Sequence, residues 1–579
     1  LGTSCFLILS AAVFAGDRAD MAPGRRRLAL PLALSAAFSS LQLVVAPWFG
    51  VLIAGLFVSS LFPTGRARRA ALGWLQMGGV FLLVTWPSLA ASLKLVSVVK
   101  AAAAGKTLVD LGNLAAPVPN WAASGVWLTG DHRFPLSAAG YPTATHLLIG
   151  VTLALALVGA IAAIRAREAT LLSLGAAGAV ALLYVSQRYG PWIQLKAQCL
   201  TAPIALLFAF FGVSAILRAA RRRHVGGATG PARARFVVLG IAGAVAVSGA
   251  VLFGNALAYH DTTLAPYRRL RDLQRIGERF RGQGTALYTD YEEYAEYFLR
   301  GVRAYVGVNA PAFSLRPGVN RKIAPGGTFA YDPNEFAPSY LQQFQFIIRR
   351  RHPSESRPPA DFRLILTTAY HEVWKRVGPA LLVAHFPLRA GAGPRPPGLC
   401  AYVTGQARRA GVGATIAYAP AATPAGIDAF TEVHSRSLKR VGVNLIARGA
   451  GRVAGTFPIS RTASYSIWQG GSFGRPVIIA IDGERVATIR YQESYPAEYV
   501  RLGVRRLSAG AHILTMVRGG GSAHPGSGDG VDGFTRTIGP TLFRPLDQPP
   551  TRVGFSSVGG FDSLCRGAQP WDWVEILRG

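Results

Sequence analysis

Apolar runs of near membrane-spanning length, separated by loops of unequal basic charge, fill the first half of this 579-residue chain. Because the hydrocarbon core of a bilayer is about 30 Å thick, a helix that crosses it needs about 20 apolar residues. Runs that approach or reach this length occupy residues 1–13, 28–45, 48–62, 71–93, 145–164, 170–185, 200–217 and 236–256. The pattern predicts about eight membrane helices in residues 1–256, the first of them truncated, and a water-soluble remainder.

Loops rich in lysine and arginine alternate along the chain with loops that contain few of them. The rich loops contain fifteen: Arg18, Arg25, Arg26, Arg27, Arg66, Arg68, Arg69, Arg165, Arg167, Arg218, Arg221, Arg222, Arg223, Arg233 and Arg235. The intervening loops contain six: Lys94, Lys100, Lys106, Arg133, Arg188 and Lys196. Since basic loops remain on the cytoplasmic side, we expect a multi-pass protein of the cell membrane whose residues from Tyr259 onward are extracytoplasmic.

The formal net charge of +32 does not indicate a nucleic-acid partner. Many arginines flank apolar runs, and the expected orientation places the remainder outside the cytoplasm. We interpret the charge as a basic surface that faces membrane lipids of negative charge or an anionic envelope polymer. The sequence shows no nucleotide-binding glycine motif, zinc pattern or Ser-His-Asp signature. It predicts no metal site and no certain cofactor, and it leaves a divalent cation open.

The soluble remainder changes character along its length. Residues 257–400 alternate short strands and helices, which predicts an extracytoplasmic α/β region. Within 401–579, short strands separated by glycine-rich turns, with a hairpin signal at Asp482-Gly483, predict a β-sandwich of jelly-roll type and a C-terminal segment. Its aromatic side chains either offer flat faces to a sugar ring or pack in the core: Tyr465, Trp468, Tyr491 and Tyr495.

Cys400 and Cys565 both lie in the expected exported part, where disulfides persist. Two cysteines allow one pairing, which would join the segment that enters the β-rich region to the end of the chain. The alternative is two buried thiols.

Two loops on the expected outer side hold polar residues where a lipid-linked substrate presents its head group. In the loop 98–141, Asp131 suits a base or a sugar hydroxyl contact, and Arg133 suits a phosphate. In the next outward loop, Arg188 and Lys196 flank a break between two helices and suit a polyprenyl phosphate. The alternatives are a structural loop at Asp131 and Arg133, and snorkelling of Arg188 and Lys196 to lipid head groups. Farther along, we interpret Asp290 as a helix cap.

These segments together resemble the C-terminal part of actinobacterial membrane glycosyltransferases of the GT-C type, which include the cell-envelope arabinofuranosyltransferases. The resemblance covers most of the chain. Its motifs are the loops 111–133 and 189–196, the stretch 290–300, the run Arg349-Arg350-Arg351-His352-Pro353-Ser354-Glu355-Ser356-Arg357-Pro358-Pro359, and Leu564-Cys565 followed by Trp571-Asp572-Trp573-Val574-Glu575.

The resemblance implies transfer of a sugar from a polyprenyl-phosphate donor to an envelope glycan or lipid acceptor, by metal-assisted or metal-free displacement. It also implies a carbohydrate-binding-like jelly roll at the C-terminus. In such enzymes the catalytic carboxylate lies in the first outward loop, so the resemblance places it upstream of Leu1 and leaves Asp131 as the remaining candidate. The alternative function is that of a non-catalytic, membrane-anchored protein that binds glycan or assembles envelope partners.

Overall fold

Two compact units, Leu1–Tyr259 and His260–Gly579, make up the chain. The computed structural model describes residues 30–36, 38–39, 46–61, 67–103, 111–112, 114–138, 140–225, 231–262, 264, 266–290, 292, 294–306, 314–316, 331–378, 381–388, 398–421, 424–427, 432–433, 437–490, 498–529, 537–547, 551–567 and 570–578.

Long apolar helices form the first unit. They are α1 (Ala46–Leu61), α2 (Ala67–Ala103), α3 (Pro142–Arg165), α4 (Ala169–Arg188), α5 (Pro191–Val225) and α6 (Pro231–Asp261). Among the described residues, five helices are long and apolar enough to cross a membrane: Leu72–Leu93, Pro142–Arg165, Ala169–Arg188, Pro191–Arg221 and Ala234–Asp261. The expected multi-pass helical region is confirmed for these five spans. The run 1–13 lies outside the described residues, and of 28–45 only 30–36 and 38–39 are described, as helix.

Glycine allows α3 and α5 to approach each other closely. A Cβ atom on Gly159 would lie 1.9 Å from the carbonyl oxygen of Phe208, and one on Gly212 would lie 2.1 Å from that of Leu155. Small residues permit such backbone contact between membrane helices, where van der Waals packing replaces the hydrophobic effect as the source of association. A side chain at either position would force the two helices apart.

The second unit begins with an α/β layer. Its helices are α7 (Tyr267–Arg279), α8 (Ala295–Phe298) and α9 (Pro338–Leu341). Its strands are β1 (Thr285–Tyr288), β2 (Arg303–Val306), β3 (Phe346–Arg350), β4 (Phe362–Thr367) and β5 (His371–Arg376), in the order β2-β1-β3-β5-β4. Strand β1 pairs in parallel with β2 and β3, so the residues that follow β1 and β3 meet at one edge of the sheet.

A four-stranded antiparallel sheet follows. It contains β6 (Leu381–Pro387), β7 (Ala414–Pro420), β19 (Gly554–Ser557) and β20 (Trp571–Arg578), in the order β19-β7-β20-β6. Two helices, α10 (Leu399–Arg409) and α11 (Phe561–Cys565), share its core. A disulfide between Cys400 and Cys565 links them, with an S–S distance of 2.05 Å.

Between β7 and β19 in sequence lies a β-sandwich. Its strands are β8 (Ala425–Gly426), β9 (Glu432–Val433), β10 (Leu438–Val441), β11 (Asn444–Ala447), β12 (Gly451–Ile459), β13 (Ala463–Gly471), β14 (Val477–Ile481), β15 (Glu484–Ile489), β16 (Tyr499–Leu507), β17 (Gly510–Arg518) and β18 (Thr537–Pro545).

One sheet of the sandwich has the order β10-β11-β18-β13-β16, with β8 beside β18, and the other has the order β15-β14-β17-β12-β9. Both sheets contribute to one apolar core. Asp482 and Gly483 connect β14 to β15 with φ values of 51° and 82°, as a tight hairpin requires. The predicted hairpin and the predicted sandwich are both confirmed.

Candidate functional site

The predicted donor-site residues collect at one end of the helical unit. Helix α4 ends at Arg188 and α5 begins at Pro191. Leu114 and Val118, from the loop before α3, pack with Leu195 of α5. The same loop is anchored by the side chain of Gln198, whose Nε2 donates a hydrogen bond to the Val118 carbonyl at 3.2 Å. The loop and the α4–α5 junction therefore share one surface, which we call the polar end.

Asp131 and Arg133 form a local ion pair at the polar end. The Arg133 Nε lies 2.9 Å from both carboxylate oxygens of Asp131, and the Arg133 backbone N–H donates to Oδ1 at 3.0 Å. The Arg133 carbonyl accepts from the N–H of Ala115, which joins this turn to the part of the loop that packs on α5. The pair thus holds the guanidinium in a defined direction.

The electrostatics of Asp131 suit a positioning role better than that of a base. Burial raises the pKa of this carboxyl, but hydrogen bonds from Arg133 outweigh burial and leave the pKa below its ordinary value. A carboxylate with a lowered pKa binds a proton weakly, and efficient general bases have pKa values near the working pH. Asp131 is therefore a poor general base in this arrangement.

The two remaining cations are exposed at the same end. Arg188 and Lys196 are both exposed, and the Lys196 ammonium lies 4.9 Å from the ring centroid of Trp192. Two further tryptophans, Trp121 and Trp127, pack with ring centroids 5.2 Å apart in the neighbouring loop. Tryptophan rings at the ends of membrane helices are typical of a membrane interface. A cation beside such a ring, as Lys196 is beside Trp192, suits an anionic group attached to a lipid chain.

Two of the predicted aromatic residues of the sandwich, Tyr465 and Trp468, do not offer an open face to a sugar ring. Tyr465 is 2% exposed in the core, and Trp468 is 5% exposed, with Nε1 donating to Ser466 Oγ at 3.0 Å. A ring must have an open face to stack on a sugar, so the proposed binding role of Tyr465 and Trp468 is corrected to packing. Tyr491 and Tyr495 lie outside the described residues.

A buried network of charged side chains, which sequence reasoning missed, joins the α/β layer to the sandwich. Asp290 is not a helix cap: its Oδ2 accepts the backbone N–H of Arg350 at 2.6 Å, and α8 begins only at Ala295. The Arg350 guanidinium in turn pairs with Glu498, next to β16. Beside it, the Arg351 guanidinium lies 5.3 Å from the ring of Trp468.

The same network joins two motifs that carry the family resemblance. The Asp572 carboxylate accepts the backbone N–H of Arg357 at 2.8 Å, and Trp573 Nε1 donates to the Arg357 carbonyl at 2.8 Å. Glu575 accepts from the N–H of Ala360 at 2.7 Å and contacts His385 Nδ1 at 2.7 Å. The run 349–359 and the segment 571–575 therefore form one packed interface.

Burial perturbs the carboxyl groups of this network. Burial raises the pKa of Asp290 to about 6, although the charge of Arg350 acts against the rise. Burial also raises the pKa of Asp572 to about 6. Perturbed carboxyls mark active sites and structural ion networks alike. Asp290 and Asp572 are only 4% and 5% exposed, which leaves no surface for a substrate, so we assign this network to structure.

Among the residues that the structure describes, no group of three or more His, Cys, Asp or Glu side chains is arranged to hold a metal ion.

No family model and no curated protein matches the chain. Solved structures that resemble part of it include a family 35 carbohydrate binding module from an environmental isolate. The match has 8% identity and a TM-score of 0.14, and it covers 24% of this chain and 95% of the module. A Podospora anserina GH26-CBM35 β-(1,4)-mannanase matches with 14% identity and a TM-score of 0.13, over 23% of this chain and 28% of the mannanase. A CBM35 from Cellvibrio japonicus Abf62 matches with 10% identity and a TM-score of 0.12, over 24% of this chain and 93% of the CBM35.

Proposed function

We propose that this chain belongs to an integral membrane glycosyltransferase that takes a sugar from a polyprenyl-phosphate donor and transfers it to an envelope glycan or lipid. The proposal includes an outward-facing polar end and an extracytoplasmic second unit, as the unequal basic loops indicate.

The observation that carries the proposal is the placement of Arg133, Arg188 and Lys196 at the polar end, where the Lys196 ammonium lies 4.9 Å from the Trp192 ring and Trp121 packs with Trp127. A polyprenyl phosphate has a charged head and an apolar tail, so its site needs cations at the depth where a membrane helix ends. In the proposed mechanism these cations stabilise the negative charge on the departing phosphate. Asp131 acts by holding the Arg133 guanidinium toward that phosphate.

Glycosyl transfer from radiolabelled polyprenyl-phosphate sugars, in membranes that contain this protein, tests this function. We expect Arg133→Ala, Arg188→Ala and Lys196→Ala each to raise KM for the donor about tenfold or more, because a hydrogen bond to a charged group contributes about 1.5–3 kcal/mol. The matched control is Arg165→Ala, which removes an arginine at the opposite end of α3. Equal effects of Arg165→Ala and Arg133→Ala would refute the phosphate site.

Asp131→Asn separates positioning from base catalysis. Loss of a general base lowers kcat by about 100-fold or more, whereas loss of a positioning carboxylate acts mainly on donor KM. We expect the second result.

Absence of transfer with every donor, together with binding of envelope glycan by the sandwich, would favour the non-catalytic glycan-binding alternative. The orientation has its own test: a membrane-impermeant thiol reagent should label a cysteine introduced at Gln283 in intact cells.

A further inference from the structure

The first helix of the second unit carries a continuous basic face. In α7, Leu270, Leu273 and Ile276 are buried, and Leu273 and Ile276 share a core with residues of the α/β sheet. The opposite side is exposed and contains one tyrosine and four arginines at helical spacing: Tyr267, Arg268, Arg271, Arg275 and Arg279. We call these five residues the basic face.

The surface next to the basic face is also rich in arginine and contains an exposed tyrosine. Helix α8 packs on α7 at Gly277, where an added Cβ would lie 2.7 Å from the Phe298 carbonyl oxygen. Beyond that contact, Tyr297 is 62% exposed, and the Arg300 guanidinium lies 4.4 Å from its ring centroid. Among the described residues of α7, α8 and their flanks, seven exposed arginines and two exposed glutamates give a net charge of +5. These residues are Arg268, Arg271, Arg275, Arg279, Arg281, Arg300, Arg303, Glu278 and Glu296.

The chain itself keeps the basic face close to the bilayer. The span Ala234–Asp261 has 28 residues, which makes it about 42 Å long and able to cross a bilayer of about 40–45 Å with its head groups. Tyr267 is six residues beyond Asp261, so at full extension its Cα lies at most about 21 Å from that end. Helix α7 is therefore tethered to the membrane surface.

We propose that the basic face, together with Tyr297 and Arg300, docks on the head groups of anionic phospholipids. Arginines supply the attraction to lipid phosphates, and tyrosines suit the boundary between head groups and water. A soluble anionic polymer would meet the same charges, but the short tether gives lipid the advantage of a high effective concentration. This inference is independent of glycosyl transfer.

Fluorescence quenching by labelled lipid in proteoliposomes of the full chain tests the docking. A fluorophore is attached to Gln274→Cys, between Arg271 and Arg275, in a chain with Cys5→Ala and Cys199→Ala and its disulfide intact. The quencher is a spin label on the lipid head group. We expect strong quenching in vesicles that contain phosphatidylglycerol and weak quenching in pure phosphatidylcholine. Added salt should weaken the contact, because it screens the charges.

Arg271→Glu/Arg275→Glu should reduce quenching in anionic vesicles to the phosphatidylcholine level. Arg271→Gln/Arg275→Gln, which adds no repulsion, should weaken the contact by about fivefold for each charge removed. The matched control, Lys439→Glu/Arg440→Glu on exposed strand β10, makes the same charge change and should leave quenching intact. Equal quenching in both lipids, or no response to either pair at the basic face, would overturn the proposal. A change in fluorophore emission on addition of soluble heparin, without quenching in phosphatidylglycerol vesicles, would assign the surface to an anionic polymer instead.

Discussion

Arg349 is a buried, paired charge in the α/β layer. Its guanidinium is 1% exposed and donates from Nη2 to Glu372 Oε2 at 3.0 Å and from Nε to the same oxygen at 3.2 Å. It also donates to the Ser356 carbonyl and lies 5.3 Å from the ring of Trp374. Arg349→Met keeps most of the packing volume and removes these hydrogen bonds and the charge.

The expected loss of stability comes from Glu372, whose buried carboxylate loses its guanidinium partner. Glu372 is 8% exposed, and after the substitution its carboxylate retains the Trp374 Nε1 donor at 3.2 Å. Removing one member of a buried ion pair destabilises a protein by about 3–5 kcal/mol, because the other charge stays buried without compensation. We expect a loss of this size for Arg349→Met. Arg349→Met/Glu372→Gln should recover about 2 kcal/mol or more, since it removes the nearer of the two carboxylates that pair with Arg349, Glu372 at 3.0 Å and Glu355 at 3.6 Å.

Pulse proteolysis in urea, on detergent-solubilised full-length protein, measures the free energy of unfolding of the second unit. The matched control is Arg363→Met, which removes an exposed arginine from β4 of the same sheet and should cost less than about 0.5 kcal/mol. A cost for Arg349→Met within 1 kcal/mol of that control would refute the reasoning. So would a double variant that is no more stable than the single one.

Three further predictions follow from packing, cross-linking and burial. Gly159→Ala should lower the thermal stability of detergent-solubilised protein by about 1–3 kcal/mol, whereas Gly150→Ala, with nothing within 4 Å of the added Cβ, should not. Cys400→Ala/Cys565→Ala should lower the urea midpoint by the equivalent of about 2–5 kcal/mol, and reductant should bring the wild type to the same value. Because burial raises the pKa of Asp572 to about 6, its contribution to stability is present below about pH 4 and lost as pH rises through about 6. Asp572→Asn should flatten unfolding free energy against pH over this range, and an unchanged slope would contradict the assignment.

The features that sequence predicted are those that depend on nearby residues or on composition. Span length and apolar content identified the five membrane helices. The Asp482-Gly483 dipeptide identified its hairpin, because both residues accept positive φ. Arg188 and Lys196 lie near each other in sequence, because only a short break separates α4 from α5, and their role at the polar end stays a prediction.

Sequence reasoning failed where partners are distant in the chain. Asp290 resembled a cap because its neighbours are acidic, but its hydrogen-bond partner is sixty residues away, at Arg350. The contact between Arg357 and Asp572 spans 215 residues. For Tyr465 and Trp468 the sequence left stacking on a sugar and packing in the protein both open, because strand alternation does not reveal which faces are covered. Only the pairing of strands supplies that information.

The sandwich is an insertion in the four-stranded sheet. The chain leaves for the sandwich after β7 and returns at β19, and these strands pair directly, with Tyr418 opposite Gly554. A segment that departs and returns on neighbouring strands behaves as a cassette, which recombination can add, remove or exchange while the host sheet keeps its register. The ion pair of Glu498 with Arg350 and the contact of the Trp468 ring with Arg351 are then contacts that any replacement module must reproduce.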